Sequence, residues 1–149
     1  MTARGDAGRN CLISKPLTTA DATTVGGWPL LDERVLGLLA NEIGDDGAND
    51  VVRLFLTGAP RMIDRLEQSF ASRGRVLLRE VHTLASAACS VGLLRVGHAA
   101  ADIERTFASA EPSGVRLAGL LALLHQSAAR LAEWQATRQT AVTEVTCPR

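Results

Sequence analysis

From residue 30 onward, apolar side chains return every three or four positions, the period of helices that each bury one face. The preceding residues 1–29 carry Gly, Thr, Ser and Pro without periodicity, and Gly26-Gly27-Trp28-Pro29 closes them, so they read as a linker. A short first helix is predicted from Asp32, a good N-cap after Leu30-Leu31, through Val35, Leu36, Leu39 and Ile43, with Gly44 as its stop. A second is predicted over about 49–72 on the stripe Val51, Leu54, Phe55, Met62, Ile63, Leu66 and Phe70. Gly58-Ala59-Pro60 interrupts that stripe, and since proline removes a backbone donor the expectation there is a kink or a division into two helices.

Arg73-Gly74 separates this segment from a third helix at about 75–90, which Gly92 ends. A fourth is predicted over about 93–110. After the turn Glu111-Pro112-Ser113-Gly114, Ser113 can cap a fifth over about 115–138. Residues 139–149 read as a flexible tail. Short connections between the last four helices favour antiparallel neighbours. The predicted fold is therefore all-α: an up-down antiparallel four-helix bundle over residues 30–138, with an additional short N-terminal helix covering one end.

Composition narrows the function classes. A chain of 149 residues suits one domain, and its apolar content is mostly Leu, Ala and Val with no Tyr, as in a helical bundle. The 16 basic residues balance the 16 acidic ones, which argues against nucleic acid and anionic membrane surfaces as partners. No apolar stretch is long enough for a membrane span, so no membrane contact by this segment is expected. Cys11, Cys89 and Cys147 are odd in number and lack CxxC or Cys/His metal spacing. They read as reduced thiols of a cytoplasmic protein with no metal site. No glycine-rich nucleotide loop is present, and neither ATP binding nor autonomous catalysis is expected.

One histidine stands apart. On a helical wheel Leu77, Val81, Leu84, Ala88 and Val91 share the core face of the third helix, and His82 lies well off it. Its neighbours in adjacent turns are Arg75 and Arg79 on one side and Ser86 and Cys89 on the other, so the imidazole is flanked by cations and by side chains small enough for a partner to approach. A guanidinium one turn away offers a fork of donors for phosphate oxygens. His98 and His125 lack such a surround and read as structural.

At these residues the chain resembles the histidine-containing phosphotransfer domain, the HPt module of multistep two-component phosphorelays. The family pattern His-x-Leu-Lys-Gly-x-Ala-x-x-x-Gly appears as His82-Thr83-Leu84-Ala85-Ser86-Ala87-Ala88-Cys89-Ser90-Val91-Gly92, and the following helix carries Val96, Ile103 and Glu104 where the family has a Leu-Glu end. Leu31-Asp32, Val35-Leu36 and Leu54-Phe55-Leu56 resemble the family's opening helices, so the likeness covers roughly residues 30–135. It implies a phosphohistidine carrier, with His82 as phosphoryl acceptor and donor. The implied partners are response-regulator receiver domains, which bring the aspartate, the acidic pocket, Mg2+ and a lysine. The resemblance also makes Nε2 the phosphorylated atom. No cofactor is bound by the chain itself.

Two positions depart from the pattern. The lysine three residues after the histidine is Ala85, and the following glycine is Ser86. In the family the lysine helps to hold the phosphoryl group, and Arg79 is the candidate substitute, approaching from the opposite turn. Arg75, Arg79, Ala85, Ser86 and Cys89 are thus the expected docking or phosphate-contacting residues around His82. The alternative reading is a degenerate HPt-like module that docks a partner without phosphoryl transfer. A fainter likeness lies in residues 10–18, where Asn10-Cys11-Leu12-Ile13-Ser14-Lys15-Pro16-Leu17-Thr18 resembles the last strand and Lys-Pro turn of a receiver. It implies the C-terminal piece of a hybrid sensor histidine kinase, placed at the cytoplasmic end of a membrane-anchored protein.

Overall fold

The structure, a computed structural model, describes residues 27–72, 75–107, 109 and 112–145. Four helices make up the bundle: α1 (Glu33–Ser72), α2 (Arg75–Ser90), α3 (Leu94–Phe107) and α4 (Gly114–Val145). Each packs against its neighbours in a ring, α1 on α2 and α4, and α3 on α2 and α4. The outer helices run antiparallel. Arg138 near the end of α4 pairs with Asp45 near the start of α1 at 2.7 Å, while Phe70 at the other end of α1 faces Gly114, the first residue of α4.

The apolar stripes meet along the bundle axis. Leu36, Val52 and Leu66 from α1, Leu77, Val81, Leu84 and Ala88 from α2, Val96, Ala100 and Ile103 from α3, and Leu117, Leu120, Leu124 and Leu131 from α4 form one continuous core. The face assigned to the third predicted helix by its periodicity is the buried one, each member of it 2% exposed or less.

The N-terminal helix is not separate, which corrects the expected five-helix arrangement. Residues 33–43 abut the longer segment directly, and the two meet at a kink at Gly44, the expected stop, whose φ 82° and ψ 163° are non-helical. Glycine alone takes such a φ at little cost, so the chain kinks there with no intervening loop. Of the two outcomes expected at Pro60, the division into two helices is absent, because Pro60 lies within α1 with helical dihedrals. Pro60 itself lies on the exposed face of the helix. At the other end α4 runs past Arg138 to Val145. The Arg138 guanidinium lies 5.0 Å over the Trp134 ring as well as against Asp45, just before the segment expected to be a tail.

Asp32 caps α1 as anticipated. Its carboxylate accepts from the Arg34 backbone N–H at 3.1 Å, and its carbonyl accepts from the Val35 N–H. The Arg34 guanidinium, bonded to both carboxylate oxygens, holds the Asp32 pKa below the usual aspartate range despite burial. No helix among the described residues is long and apolar enough to cross a membrane. The resemblance to a receiver strand and Lys-Pro turn falls on residues 10–18, outside the described residues.

Candidate phosphoacceptor site

α2 is fixed lengthwise by its C-terminal stop. Gly92 takes φ 78°, Leu93 N–H donates to Ala88 C=O at 2.9 Å, and Gly92 N–H donates to Cys89 C=O at 3.2 Å. This pair of bonds is the Schellman arrangement, which satisfies the last carbonyls and reverses the chain into α3. The resulting antiparallel register places Cys89 against Gly97, and a β-carbon on Gly97 would overlap the Cys89 sulfur and come within 3.3 Å of the Ala85 carbonyl oxygen. Glycine at position 97 is therefore what lets α2 and α3 approach closely beside the site.

Two turns further from that contact, the same register sets His82 opposite Glu104. His82 Nδ1 and Glu104 Oε1 are 2.8 Å apart, with the His82 side chain 54% exposed and that of Glu104 23%. A carboxylate can only accept, so Nδ1 carries the hydrogen and donates it. In the neutral ring this fixes the tautomer: Nε2 keeps its lone pair, on a side chain open to solvent. An exposed nucleophilic nitrogen held in one orientation by a second helix is what an acceptor of an electrophilic group requires.

The other predicted residues are placed around this nitrogen unevenly. Arg75 and Arg79 are exposed on the N-terminal turns of α2, and an Arg79 guanidinium nitrogen lies 3.8 Å from a carboxylate oxygen of Glu80, too far for a hydrogen bond. Ser86 is exposed, and its carbonyl accepts from the Ser90 hydroxyl. Ala85 is half-buried and packs against the core, so the family lysine's position is occupied by a methyl group in the groove between α2 and α3. Cys89 is half-buried and disulfide-bonded. That corrects the reading of all three cysteines as reduced thiols, a reading made from spacing along the chain, which does not report proximity in the fold. Cys11 and Cys147 lie outside the described residues.

His98 and His125 take no part. His125 is exposed on α4, whereas His98 stacks on Trp28 with ring centroids 4.2 Å apart. Burial and the nearby Arg105 guanidinium push the His98 pKa below the usual histidine value. Among the described residues there is no cluster of His, Cys, Asp or Glu suited to a metal ion.

Glu104 is not among the candidate site residues around His82, although it falls at the family's Leu-Glu position. A signal for it was available: His82 lies seven residues before Cys89, and Glu104 seven after Gly97, so an antiparallel pairing that joins the second pair joins the first.

An exposed histidine on the flank of an antiparallel four-helix bundle, steadied by a carboxylate from the next helix, defines a class of small helical phosphocarriers. The comparisons agree with it. The family model described as "Hpt domain" matches residues 50–134, more than half of the chain. The crystal structure of the HPT domain from the Hpt sensor hybrid histidine kinase of Shewanella is similar in fold, with a TM-score of 0.62 at 16% identity, covering 72% of this chain and 95% of that one. No curated protein matches the chain. The chain belongs to the Hpt family and functions as a phosphohistidine-carrying domain of two-component relays, a role that implies interaction with receiver domains.

Proposed function

We propose that His82 is the phosphoryl carrier and that Nε2 is the atom phosphorylated, exchanging the group with the aspartate of a receiver domain. The observation that supports this reading above others is the 2.8 Å contact between His82 Nδ1 and Glu104, which leaves Nε2 as the free nucleophile of a neutral ring. A neutral imidazole with a free Nε2 lone pair needs no general base to attack phosphorus.

What the chemistry requires beyond the nucleophile is in-line placement and positive charge near the equatorial oxygens. This chain contributes the nucleophile, its orientation and the docking face. Arg79, with Arg75 a turn further on, supplies cations from the N-terminal side of α2 in place of the lysine missing at Ala85. Ser86, next to Ala85 and exposed, contacts the incoming receiver. The receiver brings the acidic pocket, Mg2+ and its own lysine, and because partners must separate after each transfer the interface is modest in area. We propose that the domain is part of a hybrid sensor histidine kinase, as is the similar Shewanella domain, and acts on the cytoplasmic side of the membrane.

A phosphorylated receiver mixed with the chain and Mg2+ tests the assignment. The expected result is an acid-labile, base-stable label on wild type that is absent from His82→Gln. The second reading, a docking module without phosphoryl chemistry, rests on the methyl side chain of Ala85 in the groove and takes over if wild type stays unlabelled with several receivers.

A further inference from the structure

We infer that Cys89 is cross-linked to Cys11 and that this disulfide puts receiver docking under redox control. Oxidised, the chain keeps its own N-terminal segment bonded to the face that a receiver must reach; reduction releases that segment. This control rests on the carrier reading above and adds regulation to it.

Cys89 is disulfide-bonded, and the chain has two other cysteines, Cys11 and Cys147. Helix geometry decides between them. The Gly92 carbonyl accepts from the Asp32 N–H at 2.8 Å, and a Glu33 carboxylate oxygen lies 3.8 Å from the Arg130 guanidinium, so the end of α2 that carries Cys89 stands level with Arg130 of α4. α4 begins beside Phe70 at the opposite end of the bundle and stays helical past Arg130 to Val145, about 22 Å beyond that level. Two extended residues recover about 7 Å of this, whereas a disulfide needs its two α-carbons within about 7 Å of each other. Cys147 is therefore out of reach. The N-terminal segment enters on the side of the cross-link: Trp28 stacks on His98, the neighbour of the Gly97 against which the Cys89 sulfur is seated. The chain from Cys11 to Trp28 can span about 55 Å, far more than the return to Cys89 needs.

The cross-link bears on function through its place on α2. Cys89 follows His82 by seven residues, two helical turns, which puts it on the same stripe about 10 Å further along. Even a modest interface of about 600 Å2 per partner has a radius of about 14 Å, so a receiver centred on His82 covers Cys89 as well. Peptide bonded to Cys89 occupies part of that patch, and no receiver can displace it while the S–S bond stands. The sulfur has nowhere else to turn, because it lies in the groove between α2 and α3, where a β-carbon on Gly97 would overlap it. Glu104 meets His82 along the same pair of helices.

A disulfide on the cytoplasmic side, where thiols are kept reduced, is one that is made and broken in use. Reduction by a dithiol is thiol–disulfide exchange. One thiolate attacks a sulfur of the cross-link, and the electron pair of the S–S bond leaves on the other cysteine, which takes up a proton. The dithiol's second thiolate then displaces the remaining cysteine from the mixed disulfide. Two electrons and two protons pass to Cys11 and Cys89, and the dithiol departs as a disulfide.

The full chain, reduced with dithiothreitol or oxidised with diamide, which takes up two electrons and two protons from a pair of thiols and leaves no adduct, is freed of reagent and isolated as monomer. Peptide mapping of the oxidised form by mass spectrometry is expected to join Cys89 to Cys11. Each form is then mixed with a phosphorylated receiver and Mg2+. The reduced chain is expected to take the phosphoryl group at least about tenfold faster than the oxidised one, since docking in a single orientation sets the encounter rate. Cys11→Ser should transfer at the reduced rate after either treatment, while Cys147→Ser should remain as sensitive to diamide as wild type. A map that joins Cys89 to Cys147, or no cross-link at all, overturns this inference, as do equal transfer rates in two forms whose thiol content differs. In those cases label on His82 leaves the carrier reading intact. Failure of both forms to take label from several receivers overturns the carrier reading and this control with it.

Discussion

A β-carbon on Gly92 would stand 2.6 Å from the carbonyl oxygen of Asp32, and the Asp32 backbone N–H donates to the Gly92 carbonyl at 2.8 Å. The glycine that ends α2 is thus also the seat of the residue that caps α1. One position fixes the stop of the histidine helix, the turn into α3 and the entry of the N-terminal segment.

Replacement of Gly92 by alanine should therefore act twice, through a left-handed φ of 78° and through collision with backbone that cannot swing away. The two together are expected to cost about 2–4 kcal/mol of unfolding free energy. Urea denaturation followed by circular dichroism measures it, and a loss below about 1 kcal/mol would show that the Asp32 segment moves aside freely.

These same residues show what the sequence could and could not convey. The core face of α2, the Asp32 cap and the glycine stop were legible because each depends on chemistry within a few residues. The direct abutment of the first two helical segments was not, since Gly44 gives the break in helical dihedrals that the sequence signals but no loop follows it, and both segments contribute to one core. His82 was legible as an off-face histidine with small neighbours. Its partner Glu104 required the register between two helices, and the Cys89 disulfide required proximity in the fold, neither of which periodicity reports.

His98 gives a pH dependence whose sign follows from its surroundings. Its ring stacks on Trp28, its Nε2 is buried without a hydrogen-bond partner, and burial with the Arg105 charge lowers its pKa. A histidine whose folded pKa is depressed takes up more protons when unfolded, so stability rises with pH: its contribution is present above the unfolded value of about 6.5 and is lost as pH falls through the folded one. Unfolding free energy should drop between about pH 7.5 and about pH 5.5, and drop less in His98→Phe, which keeps the stack without the titration. Equal drops in the two proteins would assign the effect to other groups.

Ala85 can be returned to the family's lysine. The methyl group is half-buried where α2 meets α3, and a lysine there can lay its methylene stem along the groove while its ammonium reaches solvent beside His82. Ala85→Lys is expected to speed phosphoryl transfer from a receiver by about tenfold through a second cation at the transferred oxygens, at little cost in stability. Rapid-quench transfer assays at equal receiver concentration decide it. An unchanged rate would mean that Arg79 already supplies all the charge the reaction uses.

Ser127 tests the core on α4. It is fully buried, and its hydroxyl has no hydrogen-bond partner, so folding removes that group from water without compensation. Alanine occupies nearly the same volume and is the better helix former, by a few tenths of a kcal/mol. Ser127→Ala should therefore stabilise the bundle by about 1 kcal/mol, against the usual expectation that core substitutions destabilise. Thermal and urea unfolding of the two proteins measure the difference. A loss of stability would mean that the hydroxyl donates to a carbonyl of the preceding turn in solution, and that the polar group belongs to the helix it sits on.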